Sequence, residues 1–323
     1  FSLFRSWGFQ RVRRCFVCTL PVWLLFSSFW TDLGYLNVYI LMAFFSTLLI
    51  EAVIAENLVP AVLWTSLILL IKPQWVFALA VPLILGRWRF FVKLVGSSVM
   101  VYVVISGLTI LAVGIDYGWR QQVDYVQILR GISSNVYPWR VSSDPFLGYN
   151  HSIKQILVYL LGVREWVFTL AILVKAILLL PLGILSLRYM LRFAHCDGSY
   201  GTLLGLDLAF AFYLGAFIWL DMVWELSLSI VIYPYLLGTS KRAITRFWLN
   251  VVFLPYALLD PLRVGGFVIG GTDILLPGLY VAIDPAIYFP VIMLVALTFY
   301  GVICWRLGRS FPVQQAGGLG DGS

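Results

Sequence analysis

Residues 94–115 read LVGSSVMVYVVISGLTILAVGI, a run without a single charged side chain. Basic residues precede it at Arg87, Arg89 and Lys93, and Asp116 follows it. A helix needs about 20 predominantly apolar residues to cross the hydrocarbon core of a bilayer. This stretch therefore predicts a membrane-spanning helix that begins at a basic membrane surface.

The composition extends this prediction to the whole chain. Its 323 residues are 61% hydrophobic and 11% charged, whereas soluble domains carry roughly a quarter of charged residues. We therefore expect an all-α, polytopic transmembrane bundle that forms a single domain over residues 1–323. The net charge of +7 does not indicate a nucleic-acid partner, because no aromatic-rich basic groove lies outside the apolar segments.

Short clusters of basic residues, here called basic bursts, separate the apolar segments. Under the positive-inside rule such clusters face the cytoplasm, so each stretch between two bursts must cross the membrane an even number of times. The bursts are Arg5, Arg11, Arg13 and Arg14; Arg87, Arg89 and Lys93; Arg188 and Arg192; Lys241, Arg242 and Arg246; and Arg306 and Arg309.

About ten crossings satisfy this condition. They are 15–31, 35–56, 57–71, 73–86, 94–115, 166–187, 200–220, 222–238, 247–260 and 286–304. The pair 57–71 and 73–86 is short, so we expect the turn between them to lie inside the protein and to line a cavity. The alternative is one kinked crossing over 59–86, which would place Lys72 near the middle of the bilayer.

The outer face is where this path puts most of the acidic residues and a long loop. Residues 115–165 form the outer-face loop, 261–285 a second, glycine-rich one, and 307–323 a cytoplasmic tail. Helical spacing within 115–165 predicts two amphipathic helices in the membrane interface. The apolar positions are Trp119, Val123, Val126 and Leu129, then Ile153, Ile156, Leu157 and Leu160.

Three polar residues on the outer turns are candidate site residues, because polar and ionisable residues near the membrane are often functional. Lys72 provides a compact cation suited to a phosphate, although composition alone favours a lysine whose ammonium merely reaches the headgroups. Asp32 and Asn37 are suited to binding a sugar hydroxyl or orienting a base. Asp32 could instead cap the helix that begins near Tyr35.

Carboxylates beside indoles are typical of sugar sites, since acids bind hydroxyls and aromatic faces stack on a pyranose. Asp221 and Glu225 lie four residues apart, and Trp224 stands next to Glu225. We place these three residues among the substrate-binding candidates.

Asn150-His151-Ser152 is both an N-glycosylation triplet and a polar cluster beside the outer mouth. We favour the second interpretation because Arg140 and Lys154 lie nearby. Cations on the outer side need an anionic partner, either a lipid headgroup or a bound phosphate. Arg140 and Lys154 are therefore candidates for phosphate binding, and Asn150 and Ser152 for substrate binding. We expect no metal site and no cofactor.

Three segments in order resemble the polyprenyl-phosphate-dependent glycosyltransferases of family 87, a multi-spanning group of the GT-C class. They are Gly34-Tyr35-Leu36-Asn37, then Ile71-Lys72-Pro73-Gln74 with its exit Gly86-Arg87-Trp88-Arg89, and Asn150-His151-Ser152-Ile153. Position 35 departs from the family pattern, which has Gln there. The resemblance implies a GT-C-like fold and adds Gln74 to the substrate-binding residues. It also implies a general base upstream of Phe1, since we expect the chain to be the later part of a longer protein.

The resemblance implies transfer of a mannose-like sugar from a polyprenyl-phosphate donor to a lipid or glycan acceptor. We expect the site to face the periplasm or the outside, in an integral protein of a bacterial inner or plasma membrane. We also expect membrane lipids and other membrane subunits as partners. The alternatives are a non-catalytic glycosyltransferase-like subunit of a larger complex, and a transporter or flippase.

Overall fold

A computed structural model describes residues 10–26, 32, 37–134, 150–193, 202–221, 223, 226–258 and 290–310. At residues 10, 11, 13, 16, 74 and 128–134 it describes the backbone alone. Within these ranges the chain is helical and contains no strand. The all-α prediction is therefore confirmed at this level.

Thirteen α-helices and one 3₁₀ segment lie in the described part. They are α1 Gln10–Cys18, α2 Leu20–Leu24, α3 Tyr39–Ile54, α4 Leu58–Ile71, the 3₁₀ segment Pro73–Leu79, α5 Ala80–Ile84, α6 Trp88–Val113, α7 Ile115–Ser134, α8 Ile153–Leu161, α9 Glu165–Phe193, α10 Thr202–Trp219, α11 Ser229–Thr239, α12 Ala243–Ala257 and α13 Val291–Ser310.

Four of these helices, α6, α9, α10 and α13, are long and apolar enough to cross a membrane. They match the predicted crossings 94–115, 166–187, 200–220 and 286–304. The other predicted crossings correspond to shorter helices, so the number ten is not confirmed. Helix α10 is the central element, since it packs against α3, α5, α9, α13 and the 3₁₀ segment.

Three predicted crossings differ from the structure in length or continuity. The helix predicted for 15–31 is broken into α1 and α2, and Pro21 lies in the first turn of α2, where its missing N–H is tolerated. The segment 73–86 is a 3₁₀ turn followed by the five-residue α5. Helix α11 begins at Ser229 rather than at 222, and before it the Asp221 carbonyl and the Val223 N–H bond to the Asn150 side chain.

The segment between Glu56 and Arg87 leaves one end of the bundle and returns to that same end. The Arg87 Nε lies 3.0 Å from Glu56 Oε1, and one of its terminal nitrogens donates to the Ile54 carbonyl at 3.1 Å. Helix α4 and the segment 73–86 therefore form a hairpin with Lys72 at its tip. A single kinked crossing over 59–86 is excluded.

The two predicted amphipathic helices are present as α7 and α8. Trp119, Val123 and Val126 are exposed on α7, as the prediction of an interfacial helix requires. Helix α8 differs, because Ile153 and Val158 are buried. It packs against α9 and is part of the bundle rather than a helix lying wholly in the interface.

The basic bursts of the described segments lie at one end of the bundle, here called the basic end. Contacts between the helix ends connect them. These are Ile54 with Arg87, Ile54 with Gly205, Asp207 with Arg306, Tyr189 with Leu307, Arg242 with Trp305, and Val12 with Gly238. The opposite end, where α10 ends at Trp219 and α13 begins at Val291, is called the site end.

Candidate functional site

Lys72 ends helix α4 because Pro73 follows it. The residue before a proline is driven out of the α region, and Lys72 has φ −145° and ψ 84°. Its backbone N–H still closes the helix on the Ile68 carbonyl at 2.8 Å, and its carbonyl accepts from the Trp75 N–H at 3.0 Å. The Lys-Pro pair therefore fixes the tip of the hairpin and the position from which the lysine side chain starts.

The Lys72 ammonium lies against Tyr39 and near Asp32. Its Nζ is 3.3 Å from the centroid of the Tyr39 ring, a cation–π distance. Burial lowers the pKa of Lys72 from 10.5, and the charge of Asp32 opposes this shift. Burial likewise raises the pKa of Asp32, against hydrogen bonds from the Ile40 and Tyr39 backbone and the charge of Lys72. For each of the two side chains, burial shifts the pKa more than their mutual electrostatic attraction shifts it back.

Asp32 uses one carboxylate oxygen and leaves the other unused. Its Oδ2 accepts the N–H of Ile40 in the first turn of α3 at 2.5 Å. Asp32 therefore bonds to the start of a helix, but that helix begins at Tyr39 with Val38 at its N-cap position rather than near Tyr35. Its Oδ1 is buried and has no hydrogen-bond partner among the described residues. Buried polar atoms are normally satisfied, which makes this oxygen a candidate acceptor for a ligand hydroxyl. Asn37 lies beside it and donates its backbone N–H to the Asp32 carbonyl at 2.8 Å.

A second polar cluster forms where residues 150–152 run beside residues 221–223. The Asn150 amide nitrogen donates to the Asp221 carbonyl at 3.0 Å, and its Oδ1 accepts from the backbone N–H groups of Val223 and Ser152. The His151 N–H donates to the Val223 carbonyl at 2.8 Å. Asn150 is buried and acts as a clamp, so it is not an exposed glycosylation acceptor in this fold.

His151 and Ser152 each satisfy the start of a helix. The Ser152 hydroxyl accepts the Gln155 N–H at 3.2 Å as the N-cap of α8. The His151 Nδ1 accepts the Ile292 N–H in the first turn of α13 at 3.4 Å. Initial N–H groups of a helix have no partner within it. The triplet therefore connects α8, α13 and the loop after α10.

Two lysines share the Asp221 carboxylate in this second cluster. Lys175, in the first half of α9, donates to Asp221 Oδ1 and, at 2.8 Å, to the Trp219 carbonyl that ends α10. Lys154 Nζ lies 3.7 Å from Asp221 Oδ2, an ion-pair distance longer than a hydrogen bond. Burial lowers the pKa of Lys154, Asp221 opposes the shift, and the Lys175 charge adds to it.

Both clusters lie towards the site end, and aromatic side chains line the path between them. Tyr39 contacts Trp75, with ring centroids 6.3 Å apart, and Trp75 contacts Tyr213 of α10 at 5.3 Å. Tyr213 then contacts Phe217 at 6.2 Å. From Tyr213 to Trp219 the helix rises about 9 Å towards Asp221. Lys72 and Asp221 are thus on the same side of the bundle.

The structure brings most of the predicted residues into these two clusters. Lys72, Asp32 and Asn37 form the first, and Asn150, Ser152, Lys154 and Asp221 the second. Arg140, Trp224 and Glu225 lie outside the described residues, as does the side chain of Gln74. Lys175 was missed, although a lone charge in the apolar run 166–187 is a recognised sign of an intramembrane site.

A buried ionic network at the basic end was also missed. Asp207 of α10 lies 3.2 Å from an Arg306 nitrogen and accepts the Tyr235 hydroxyl at 2.7 Å. Arg306 also donates to the hydroxyls of Tyr235 and Thr239. The network joins α10, α11 and α13. The hydrogen bonds and the ion pair just given are all made between side chains of these three helices.

No protein-family model, curated protein or solved structure matches this chain. The resemblance to family 87 therefore stays a prediction from three short motifs.

Proposed function

We propose that the chain is a membrane glycosyltransferase of the GT-C class. It would transfer a mannose-like sugar from a polyprenyl-phosphate donor to a hydroxyl of a lipid or glycan acceptor. The observation that carries the proposal is that Lys72 and Asp32 contact adjacent residues at the start of α3. The Lys72 ammonium lies 3.3 Å from the Tyr39 ring centroid, and Asp32 Oδ2 accepts the Ile40 N–H. The Asp32 Oδ1 is buried and has no partner among the described residues. A cation for phosphate and an acceptor for a hydroxyl are the two groups that such a transfer requires side by side.

Lys72 is assigned to the phosphate of the donor. In the reaction the bond between the anomeric carbon and the phosphate oxygen breaks, and the phosphate leaves with the electron pair. A cation fixed beside that oxygen stabilises the developing charge. Tyr39 holds the ammonium in place at 3.3 Å, and partial burial strengthens its attraction for an anion because the local dielectric is lower than in water.

Asp32 and Asn37 are assigned to positioning a sugar or acceptor hydroxyl. The Asp32 Oδ1 would accept the hydroxyl hydrogen, while Oδ2 remains bound to the first turn of α3. The acceptor hydroxyl gives its proton to a general base, a role that is not assigned to any residue described in the structure. The deprotonated oxygen then attacks the anomeric carbon from the side opposite the phosphate, with inversion.

The second cluster supplies a further cation on the same side. Lys175 anchors Asp221 to the end of α10, and Lys154 approaches the outer oxygen of that carboxylate. A phosphate or a headgroup arriving there would replace Asp221 as the nearest anion of Lys154. Arg140, Gln74, Trp224 and Glu225 complete the proposed set of binding residues on grounds of sequence.

The arrangement of charge supports an active face away from the cytoplasm. The described basic bursts are at the basic end, and the positive-inside rule assigns that end to the cytoplasm. Lys72 and Asp221 lie towards the other end. The ten-crossing path, and the location in a bacterial inner or plasma membrane, belong to the same proposal.

Replacement of Lys72 by Ala tests the phosphate role. We expect sugar transfer from a radiolabelled polyprenyl-phosphate donor to fall by about 100-fold or more, the usual loss when one charge-stabilising donor is removed. Lys93→Ala removes an exposed lysine near the basic end and should retain wild-type activity. Full activity of Lys72→Ala would refute the phosphate role, and inactivity of the wild-type protein with every polyprenyl-phosphate donor would refute the transferase.

A further inference from the structure

Trp305, near the C-terminal end of α13, contacts two arginines at the basic end. The Arg309 Cζ lies 4.0 Å from the centroid of the Trp305 ring, and the Arg242 Cζ lies 5.5 Å from it. Arg309 belongs to the last turn of α13, whereas Arg242 is the N-cap of α12. Two different helices therefore hold guanidinium groups against one indole.

These arginines differ from Arg306, which also lies at the basic end. Arg306 points inwards and has a carboxylate partner in Asp207. Arg242 and Arg309 are exposed, and among the described residues neither forms an ion pair with a carboxylate. Contact with an aromatic ring leaves the N–H edges of a guanidinium available for hydrogen bonds. Two fixed cations thus present donors at the protein surface.

The surface of α12 that begins beside Arg242 is apolar. Its exposed residues follow the helical spacing i, i+3, i+4 and i+7 and form one stripe. They are Ile244, Phe247, Trp248 and Val251, each between 43% and 59% exposed. An apolar stripe that starts at paired cations matches the two chemical parts of a phospholipid, since the headgroup is anionic and the chain is hydrocarbon.

We propose that Arg242, Trp305 and Arg309 bind the phosphate headgroup of an anionic phospholipid from the leaflet at the basic end, with its acyl chain along the α12 stripe. Both guanidinium groups donate to phosphate oxygens, and Trp305 keeps them close enough for one headgroup to contact both. Basic pockets between helices at this level of a membrane are suited to anionic headgroups. The site lies at the end of the bundle opposite to the proposed donor site and is independent of that function.

Lipid retention measured by native mass spectrometry tests this proposal. The full chain, purified in mild detergent, is incubated with phosphatidylglycerol or with phosphatidylcholine. We expect the wild-type protein to retain phosphatidylglycerol preferentially. Because Arg242 and Arg309 would each donate charge-assisted hydrogen bonds to the same headgroup, the double variant Arg242→Gln/Arg309→Gln should reduce that preference by about tenfold or more.

A matched control separates this site from general surface charge. Arg89→Gln/Lys93→Gln removes two exposed basic residues of another burst. In detergent no anionic membrane surface is present, so these exposed charges should contribute little and the preference should change less than about twofold. An equal loss in both double variants would overturn the proposal, as would complete competition by millimolar inorganic phosphate, which would indicate a free-phosphate site. Trp305→Leu provides an independent variant and should lower phosphatidylglycerol retention, whereas Trp305→Phe should preserve it.

Discussion

Replacement of Asp207 by Asn should destabilise the bundle strongly, because it leaves the Arg306 charge buried without a counter-ion. The side chains of Asp207 and Arg306 are only 3% and 13% exposed. Removing one partner of a buried ion pair typically costs about 3–5 kcal/mol. Asn can still accept the Tyr235 hydroxyl, so the loss measures the charge interaction rather than that hydrogen bond.

The chain contains an exposed ion pair that serves as a control. Glu56 pairs with Arg87 at 3.0 Å, but its side chain is 48% exposed. Surface pairs contribute about 0–1 kcal/mol, so Glu56→Gln should have a correspondingly small effect. The free energy of unfolding of each variant is measured in detergent micelles by denaturant titration, with helix content followed by circular dichroism.

The test compares the free energy of unfolding of three variants: Asp207→Asn, Glu56→Gln and the double variant Asp207→Leu/Arg306→Met. Asp207→Asn should lose several times more stability than Glu56→Gln, and the double variant Asp207→Leu/Arg306→Met should recover much of the loss because no charge is left buried. If Asp207→Asn loses no more than Glu56→Gln, the pair is not buried as described and the reasoning fails.

Three further predictions concern individual residues. Ser152→Ala removes the N-cap of α8 and should lower the free energy of unfolding by about 1 kcal/mol; an unchanged midpoint would contradict the cap. Gly238→Ala would place a Cβ 2.5 Å from the Val12 Cα and should cost about 1–3 kcal/mol through overpacking, whereas Gly107→Ala, with open space around it, should stabilise α6 by about 0.5–1 kcal/mol. Because the pKa of Lys72 is lowered from 10.5, binding of a polyprenyl-phosphate donor should weaken as pH rises, starting below pH 10.5. Lys72→Arg should abolish that dependence, and equal binding by the wild type up to pH 10.5 would be inconsistent with the phosphate role.

The positions of the long helices could be predicted from the sequence because hydropathy is a local property. Residues 94–115 are apolar and flanked by charge, and α6 covers 88–113 accordingly. The basic bursts also predicted the hairpin with Lys72 at its tip, since Arg87 had to return to the end of the bundle from which the chain left at Glu56. The Lys-Pro pair added the local reason for the turn.

The ionic and hydrogen-bonded contacts could not be predicted, because they join residues far apart in the chain. Asn150 bonds to Asp221 and Val223, more than 70 residues away, and nothing in the triplet itself names those partners. Lys175 and Asp207 appear in the sequence as isolated charges within apolar runs. Their partners become identifiable only once α9, α10, α11 and α13 are packed together.

The hairpin of α4 and α5 has a consequence for the surrounding lipid. Helix α4 rises about 21 Å, about 9 Å less than a typical hydrocarbon layer, and α5 is shorter still. A bilayer adapts to such a deficit by local thinning. Lipid headgroups beside Lys72 would then sink towards the membrane centre, so that a long-chain lipid could present its polar end to the protein without leaving the leaflet.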